Sequence, residues 1–145
     1  MNIQTAYFGE LEIEPSNILN FQFGLPGFED EKDFIVLPLE ENSVFQVLQS
    51  VQTAALAFII TNPYDITADY SFDLEEATTH ALNIKDEKEV AVFAIVSLKE
   101  SISRSTVNLK APIVLNTTNK RAKQVILNNE EYAIRHLISS ESKEG

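Results

Sequence analysis

The residues able to do chemistry are few and scattered. Histidine occurs only at His80 and His136, and neither stands beside a serine in the sharp strand-to-helix turn that exposes a nucleophile. Each reads as an ordinary surface or half-buried side chain. The chain contains no cysteine, which removes thiolate nucleophiles, thiolate metal sites and disulfides together. The four glycines are dispersed, and Gly24-Leu25-Pro26-Gly27 is followed by neither a helix nor a P-loop lysine, so no phosphate cradle is expected. Asp65, Asp69 and Asp73 recur every four residues, but the glycine and alternating ligands of an EF-hand loop are missing. Carboxylates are plentiful, yet a glycosidase needs two of them across one cleft at a set separation, which abundance does not supply. The expectation is a protein without catalytic residues, metal or cofactor.

The informative feature is where the acids lie. The net charge is −11, and residues 1–76 hold fourteen acids against a single base, Lys32, a balance of −13. The remaining residues hold ten bases against eight acids. Such a chain repels nucleic acid, whose binding rests on phosphate neutralisation, and attracts a basic protein surface. Acidity also keeps a protein soluble, which is the plainer account of the same charges. No apolar run reaches the length of a membrane span, the N-terminus lacks the regions of a signal peptide, and cysteine is absent, so a cytoplasmic protein is expected. The 145 residues suit one domain spanning 1–145, its tail at 139–145 frayed.

These residues must be positioned by strands. Glu10-Leu11-Glu12-Ile13-Glu14 alternates strictly, the mark of a strand with one wet face, and Leu19, Phe21 and Phe23 alternate in a second run that could pair with it as a hairpin. Leu25-Pro26-Gly27-Phe28 has the chemistry of a type II turn, with proline presetting φ and glycine taking positive φ. Phe23 and Phe28 are expected to pin that turn to the core, and the acidic run at 29–33 to be a loop. Phe34–Leu37, Phe45–Ser50, Ala54–Thr61 and Val90–Val96 read as buried strands. Asp73 reads as the N-cap of one short helix whose apolar side carries Leu74, Ala77, Ala81 and Leu82. In 105–116, β-branched residues flank Pro112, which cannot donate to a ladder and so belongs at a bulge, bend or edge. Lys123–Leu127 reads as a returning strand, Asn128-Asn129 as a turn, and Tyr132–Ile138 as a last strand. The class is therefore all-β, mainly antiparallel: a compact barrel-like domain of about ten short strands and one short helix.

Several pieces, taken in order, resemble the bacterial flagellar assembly factor FliW family. They are Tyr7-Phe8-Gly9-Glu10-Leu11, Phe23-Gly24-Leu25-Pro26-Gly27-Phe28-Glu29, Leu48-Gln49-Ser50, Asn62-Pro63-Tyr64 with Asp69-Tyr70, the run Asn108 to Asn116, Gln124-Val125-Ile126-Leu127 and Tyr132-Ala133-Ile134-Arg135-His136. Val107 and Lys110 depart from the small or apolar residues expected there. The resemblance implies a β-barrel-like protein that is not an enzyme and that regulates flagellum assembly in a chaperone-like way. It implies two alternative partners: flagellin, and the RNA-binding translational repressor CsrA, which is thereby kept off flagellin mRNA. The partner-binding surface is expected to draw on Glu29, Asp30 and Glu31 after the turn and on Asp69, Tyr70, Asp73 and Glu75 around the helix start. The competing readings are a carboxylate-dependent hydrolase and a small-ligand carrier with its cargo inside the barrel.

Overall fold

The computed structural model describes residues 1–39 and 44–138, so the expected frayed tail at 139–145 lies outside the described residues. The apolar runs form strands that mostly pair with their sequence neighbours. β3 (Leu19–Phe21), β4 (Asp33–Pro38), β5 (Phe45–Ser50), β6 (Ala57–Thr61) and β7 (Val90–Ser97) follow one another as an antiparallel meander. β9 (Ile113–Asn116) and β10 (Arg121–Gln124) form a hairpin, and β9 pairs in turn with the first half of β7. The ring closes where β10 lies parallel to β3, Arg121 beside Asn20 and Ala122 beside Phe21. Seven strands thus make a closed barrel, which leaves no long exposed edge to aggregate. Outside it, β8 (Thr106–Val107) and β11 (His136–Leu137) extend the sheet from the second half of β7. Among the described residues there are eleven strands and one α-helix, α1 (Glu76–Ala81), close to the expected ten and one.

Three apolar clusters hold this arrangement. Phe21, Phe34, Leu48, Ile60 and Ile113 fill the barrel interior, Phe21 meeting Phe34 edge to face at 5.3 Å. Burying each such side chain stabilises the fold by about 1.5–3 kcal/mol relative to exposure. The interior is a packed core and not a ligand chamber, which removes the basis of the carrier reading. A second cluster, Ile3 and Ile13 against Ile35, Leu37 and Val47, lays the hairpin of β1 (Asn2–Thr5) and β2 (Gly9–Glu12) over the outside of β4 and β5. A third packs Tyr70, Leu109 and Leu127 over Ala94, Val96 and Val107. The central strands are apolar on both faces because both faces are covered.

The proline run behaves as its composition requires. From the pair Val96–Val107 to the pair Phe93–Ile113, β7 advances three residues while the partner strand advances six. The surplus forms a bulge at 108–112. Other elements correct the sequence reading. β2 pairs with β1 and not with the run at 19–23, because the tight turn at Ala6-Tyr7-Phe8 brings β1 alongside first. The helix is capped by Glu75, not Asp73, with no side-chain cap bond, and its inward residues are Thr78 and Leu82, while Ala77 is exposed. The last strand shrinks to His136–Leu137 and the returning strand ends at Gln124, because backbone groups in 125–133 bond to the bulge instead. Positive φ falls at Asn83 and Lys120 and not at Asn128-Asn129.

Around the type II turn the expected chemistry holds and the expected anchors do not. The Phe28 N–H donates to Leu25 C=O at 2.7 Å and Gly27 has φ +86°. Leu25, 2% exposed, is the anchor; Phe23 and Phe28 are 54% and 41% exposed. Phe28 packs edge-on against Phe58, and Phe23 lies beneath the Lys123 ammonium at 5.5 Å. Gly24 also takes positive φ, +67°, and a Cβ there would stand 2.6 Å from the Glu29 backbone. Nothing stands within 4 Å of a Cβ at Gly27. In urea denaturation Gly27→Ala should therefore cost about 1–2 kcal/mol of conformational strain, and Gly24→Ala clearly more; equal midpoints for the two variants would refute the distinction.

Glu31 is not the indifferent loop residue that its setting among acids suggests. Its two carboxylate oxygens accept from the hydroxyls of Ser50 and Thr53, each at 2.6 Å, tying the turn to the β5–β6 connection. The Ser50 bond, then the Thr53 bond, hold its pKa below the ordinary 4.5 against the opposing effect of partial burial. A depressed carboxylate stabilises the fold fully above its unfolded pKa and loses that contribution as pH falls through the folded value. Glu31→Gln should lower the melting temperature at pH 7, and the gap from the parent should narrow as pH drops below 4.5. A pH-independent gap would show that the charge is not what the hydroxyls hold.

Candidate partner-binding surface

The acids singled out by sequence divide into two sets that do not meet. Glu29, Asp30 and Glu31 follow the type II turn, and Glu31 is anchored where β5 passes to β6. Asp69, Tyr70, Asp73 and Glu75 follow the 3-10 turn Pro63–Asp65 that leaves the opposite end of β6. Within the first set Asp30 is exposed, Glu29 accepts the Gly27 N–H at 3.1 Å, and Glu31 is committed inward. Within the second, Asp69, Asp73 and Glu75 are exposed, Asp69 accepting the Thr67 hydroxyl at 3.2 Å.

Tyr70 is a correction. Expected on the contact surface, it is 2% exposed, and its hydroxyl donates to the Leu109 carbonyl at 2.7 Å. Rings of Tyr132, Tyr64 and Phe72 surround it at 4.6, 5.6 and 5.6 Å. Burial first, then the neighbouring phenols of Tyr132 and Tyr64, push its pKa well up, so the hydroxyl remains a donor. Its work is to bind the 62–75 segment to the bulge. Tyr132 ties the same segment to the C-terminal run: its hydroxyl donates to the Ser71 carbonyl and accepts the Ser71 N–H, both at 2.8 Å.

Held in this way, Ser71–Glu75 becomes a ridge between two open grooves. One, of about 320 Å³, runs between the ridge and Val125–Asn129. The other, of about 880 Å³, runs between the ridge, the segment after α1 and Val90–Phe93. Asp73 faces both. Beside the smaller groove Ile126 is 69% exposed, a feature sequence reasoning passed over. The signal was there: in Val125-Ile126-Leu127 the flanking residues pack inward, so by the period of two the middle one must point out.

His80 is exposed on α1 and His136 half-buried in β11. Among the described residues no three His, Asp or Glu side chains stand close enough to hold a metal ion. Every buried side-chain nitrogen and oxygen among the described residues has a hydrogen-bond partner, and no helix among them is long and apolar enough to cross a membrane. Glu89, the second acid with a lowered pKa, is held by the Lys85 N–H and the Thr118 hydroxyl and belongs to a capping box at Asp86–Glu89. Ser71–Glu75, with Asp73 and Glu75 exposed, is thus an acidic ridge between two grooves.

Comparison with known proteins gives one family over nearly the whole chain. The family model described as FliW protein matches residues 2–138. The flagellar assembly factor FliW of Oceanobacillus iheyensis is 48% identical over 140 residues, covering 97% of this chain and 95% of that protein. That of Bacillus subtilis strain 168 is 43% identical over 142 residues, covering 98% and 99%. A solved structure, described as the crystal structure of the flagellar assembly factor FliW, superimposes with a TM-score of 0.90 at 38% identity, covering 95% of this chain and 96% of that one. Matched by the family model over residues 2–138 and by relatives and a solved structure over nearly as much, the chain belongs to the FliW family of flagellar assembly factors.

Proposed function

We propose that this protein is a cytoplasmic, non-enzymatic regulator of flagellum assembly that binds CsrA and flagellin as alternative partners. Bound to CsrA it prevents repression of flagellin mRNA; bound to flagellin it acts as a chaperone and releases CsrA. The observation that carries this reading is membership of the FliW family over nearly the whole chain. The acid distribution supports it: a negative protein seated beside a basic RNA-binding surface opposes an approaching phosphate chain without mimicking RNA. Of the residues expected at the contact, Tyr70 is buried and Glu31 engaged, so the reading now rests on Asp69, Asp73 and Glu75, with Asp30 and Glu29 as a separate outlying pair.

Rim charges mainly accelerate association and make it sensitive to salt. A variant carrying Asp69→Lys, Asp73→Lys and Glu75→Lys should bind CsrA more slowly by roughly tenfold at low salt and fail to release flagellin leader RNA from CsrA in a gel-shift assay. Flagellin, whose terminal helices offer apolar faces, should lose less. The pair Glu29→Lys and Asp30→Lys is the comparison, and a larger loss there would move the contact to the turn. If both variants fold normally and release RNA at the parent's concentration, the acids serve solubility alone. Failure of the parent protein to bind either partner would overturn the reading itself.

A further inference from the structure

Strand β7 runs past the end of its neighbour. β6 pairs with it only through Ile59–Val96, Ile60–Ile95 and Thr61–Ala94, whereas β9 pairs along Val90–Phe93 on the other edge. The Ile95 carbonyl accepts the Asn108 N–H at 2.9 Å, and the Glu89 carbonyl, just before the strand, accepts the Thr117 N–H at 2.7 Å. Both bonds lie on the β9 side. Because backbone groups alternate in direction along a strand, Ala94 and Val96 address β6, and Val90 and Val92 address the space beyond its end. By register the residue opposite Val92 would be Pro63, which has no N–H and whose carbonyl is taken by Ile66 and Thr67, each at 3.0 Å. The Val90 N–H goes to Glu87. Among the described residues no side chain or turn reaches the N–H or C=O of Val92, or the C=O of Val90.

The larger groove lies along this edge. Four consecutive residues, Val90 to Phe93, line it, and since alternate side chains point to opposite faces, only the edge of a strand can present four in a row. Val90-Ala91-Val92 carries neither the lysine nor the proline that blunts an edge. Across the groove stand the apolar Tyr64, Phe72 and Leu74, and its lining carries Asp73, Asp86 and Glu87 against the single base Lys85. We propose that the Val90–Val92 edge accepts an extended, lysine-rich segment of a partner protein as an added strand. Main-chain bonds to Val92 and Val90 supply affinity, and the acids lining the groove select basic side chains. The inference goes beyond the CsrA and flagellin reading, because it specifies a site and a mode of binding that are tested without either protein.

The test uses the full-length protein and a fluorescein-labelled octapeptide of alternating lysine and valine. In amide hydrogen exchange on the free protein, Val92 should exchange rapidly while Ala91 and Phe93 are protected, and the peptide should slow Val92 selectively. By anisotropy, Asp73→Lys with Glu87→Lys should weaken binding about tenfold, and an alternating glutamate–valine peptide should not bind. Of two lysine–valine peptides N-methylated on alternate residues, one should bind like the parent and the other should not, since only one phase faces the edge. A Val92 amide already protected in the free protein, whether by its own chain or by a second copy, overturns the proposal. So does equal binding of both methylated peptides, which would mean attraction by charge without an added strand.

Discussion

The structure depends on satisfying backbone groups that leave a ladder. When the chain bulges after Asn108, whose N–H still donates to Ile95 of β7, the amides and carbonyls of Leu109 to Pro112 leave that ladder, and a buried group left unpaired costs about as much as a broken hydrogen bond. Each finds a substitute. Asn108 turns its own amide oxygen to the N–H groups of Lys110 and Ala111 at 3.0 and 3.1 Å. The carbonyls of Leu109, Lys110, Ala111 and Pro112 accept from Tyr70, Leu127, Gln124 and Val125, and the Leu109 N–H donates to Ala133. Five residues therefore fix two distant segments, 62–75 and 124–133, on the outside of one barrel wall.

That arrangement makes the surface. The ridge bearing Asp73 and Glu75 leads into one short helix and contains no strand of its own, and it is held by phenol hydroxyls and ring contacts that converge on Tyr70. A corresponding tie secures the other end: the buried Gln49 side chain accepts the Ala6 N–H at 2.9 Å and donates to carbonyls of the β5–β6 turn, pinning the β1–β2 hairpin beside Glu31's anchor. In both places side-chain-to-backbone bonds do what sheet pairing does elsewhere. The barrel is a scaffold, and its coverings carry the exposed Glu10, Glu12, Asp69, Asp73 and Glu75.

The sequence made the scaffold legible because its signals are local. Period-two runs, a proline at a bulge and a Pro-Gly turn each declare themselves within a few residues, and the bulge, the turn and the strands between Phe34 and Val96 appear near their expected positions. Missed features depend on residues far apart. Tyr70 reads as a surface aromatic among acids until Leu109, thirty-nine positions on, supplies its acceptor. Glu31 reads as one more solvated acid until the hydroxyls of Ser50 and Thr53 approach. The final strand reads as seven alternating residues, but the Ala133 carbonyl turns to Leu109 of the bulge and the Tyr132 N–H to Asn129, leaving only His136 and Leu137 to pair with β8. Alternation shows which face a residue occupies and not which partner competes for its main chain.

The parallel contact between β3 and β10 joins Asn20 and Phe21 to Arg121 and Ala122. A ring closed at that seam cannot be completed during synthesis until the hundred or so intervening residues have left the ribosome, and non-local closure of this kind is slow because chain entropy is lost before any contact rewards it. Until then Phe21 and Phe34 lack their lid, and β3 presents an unpaired edge in a compact, half-formed sheet. The dense negative charge of the first half is then present on the nascent chain during the interval when that edge is open, and mutual repulsion between such chains guards them against pairing with one another.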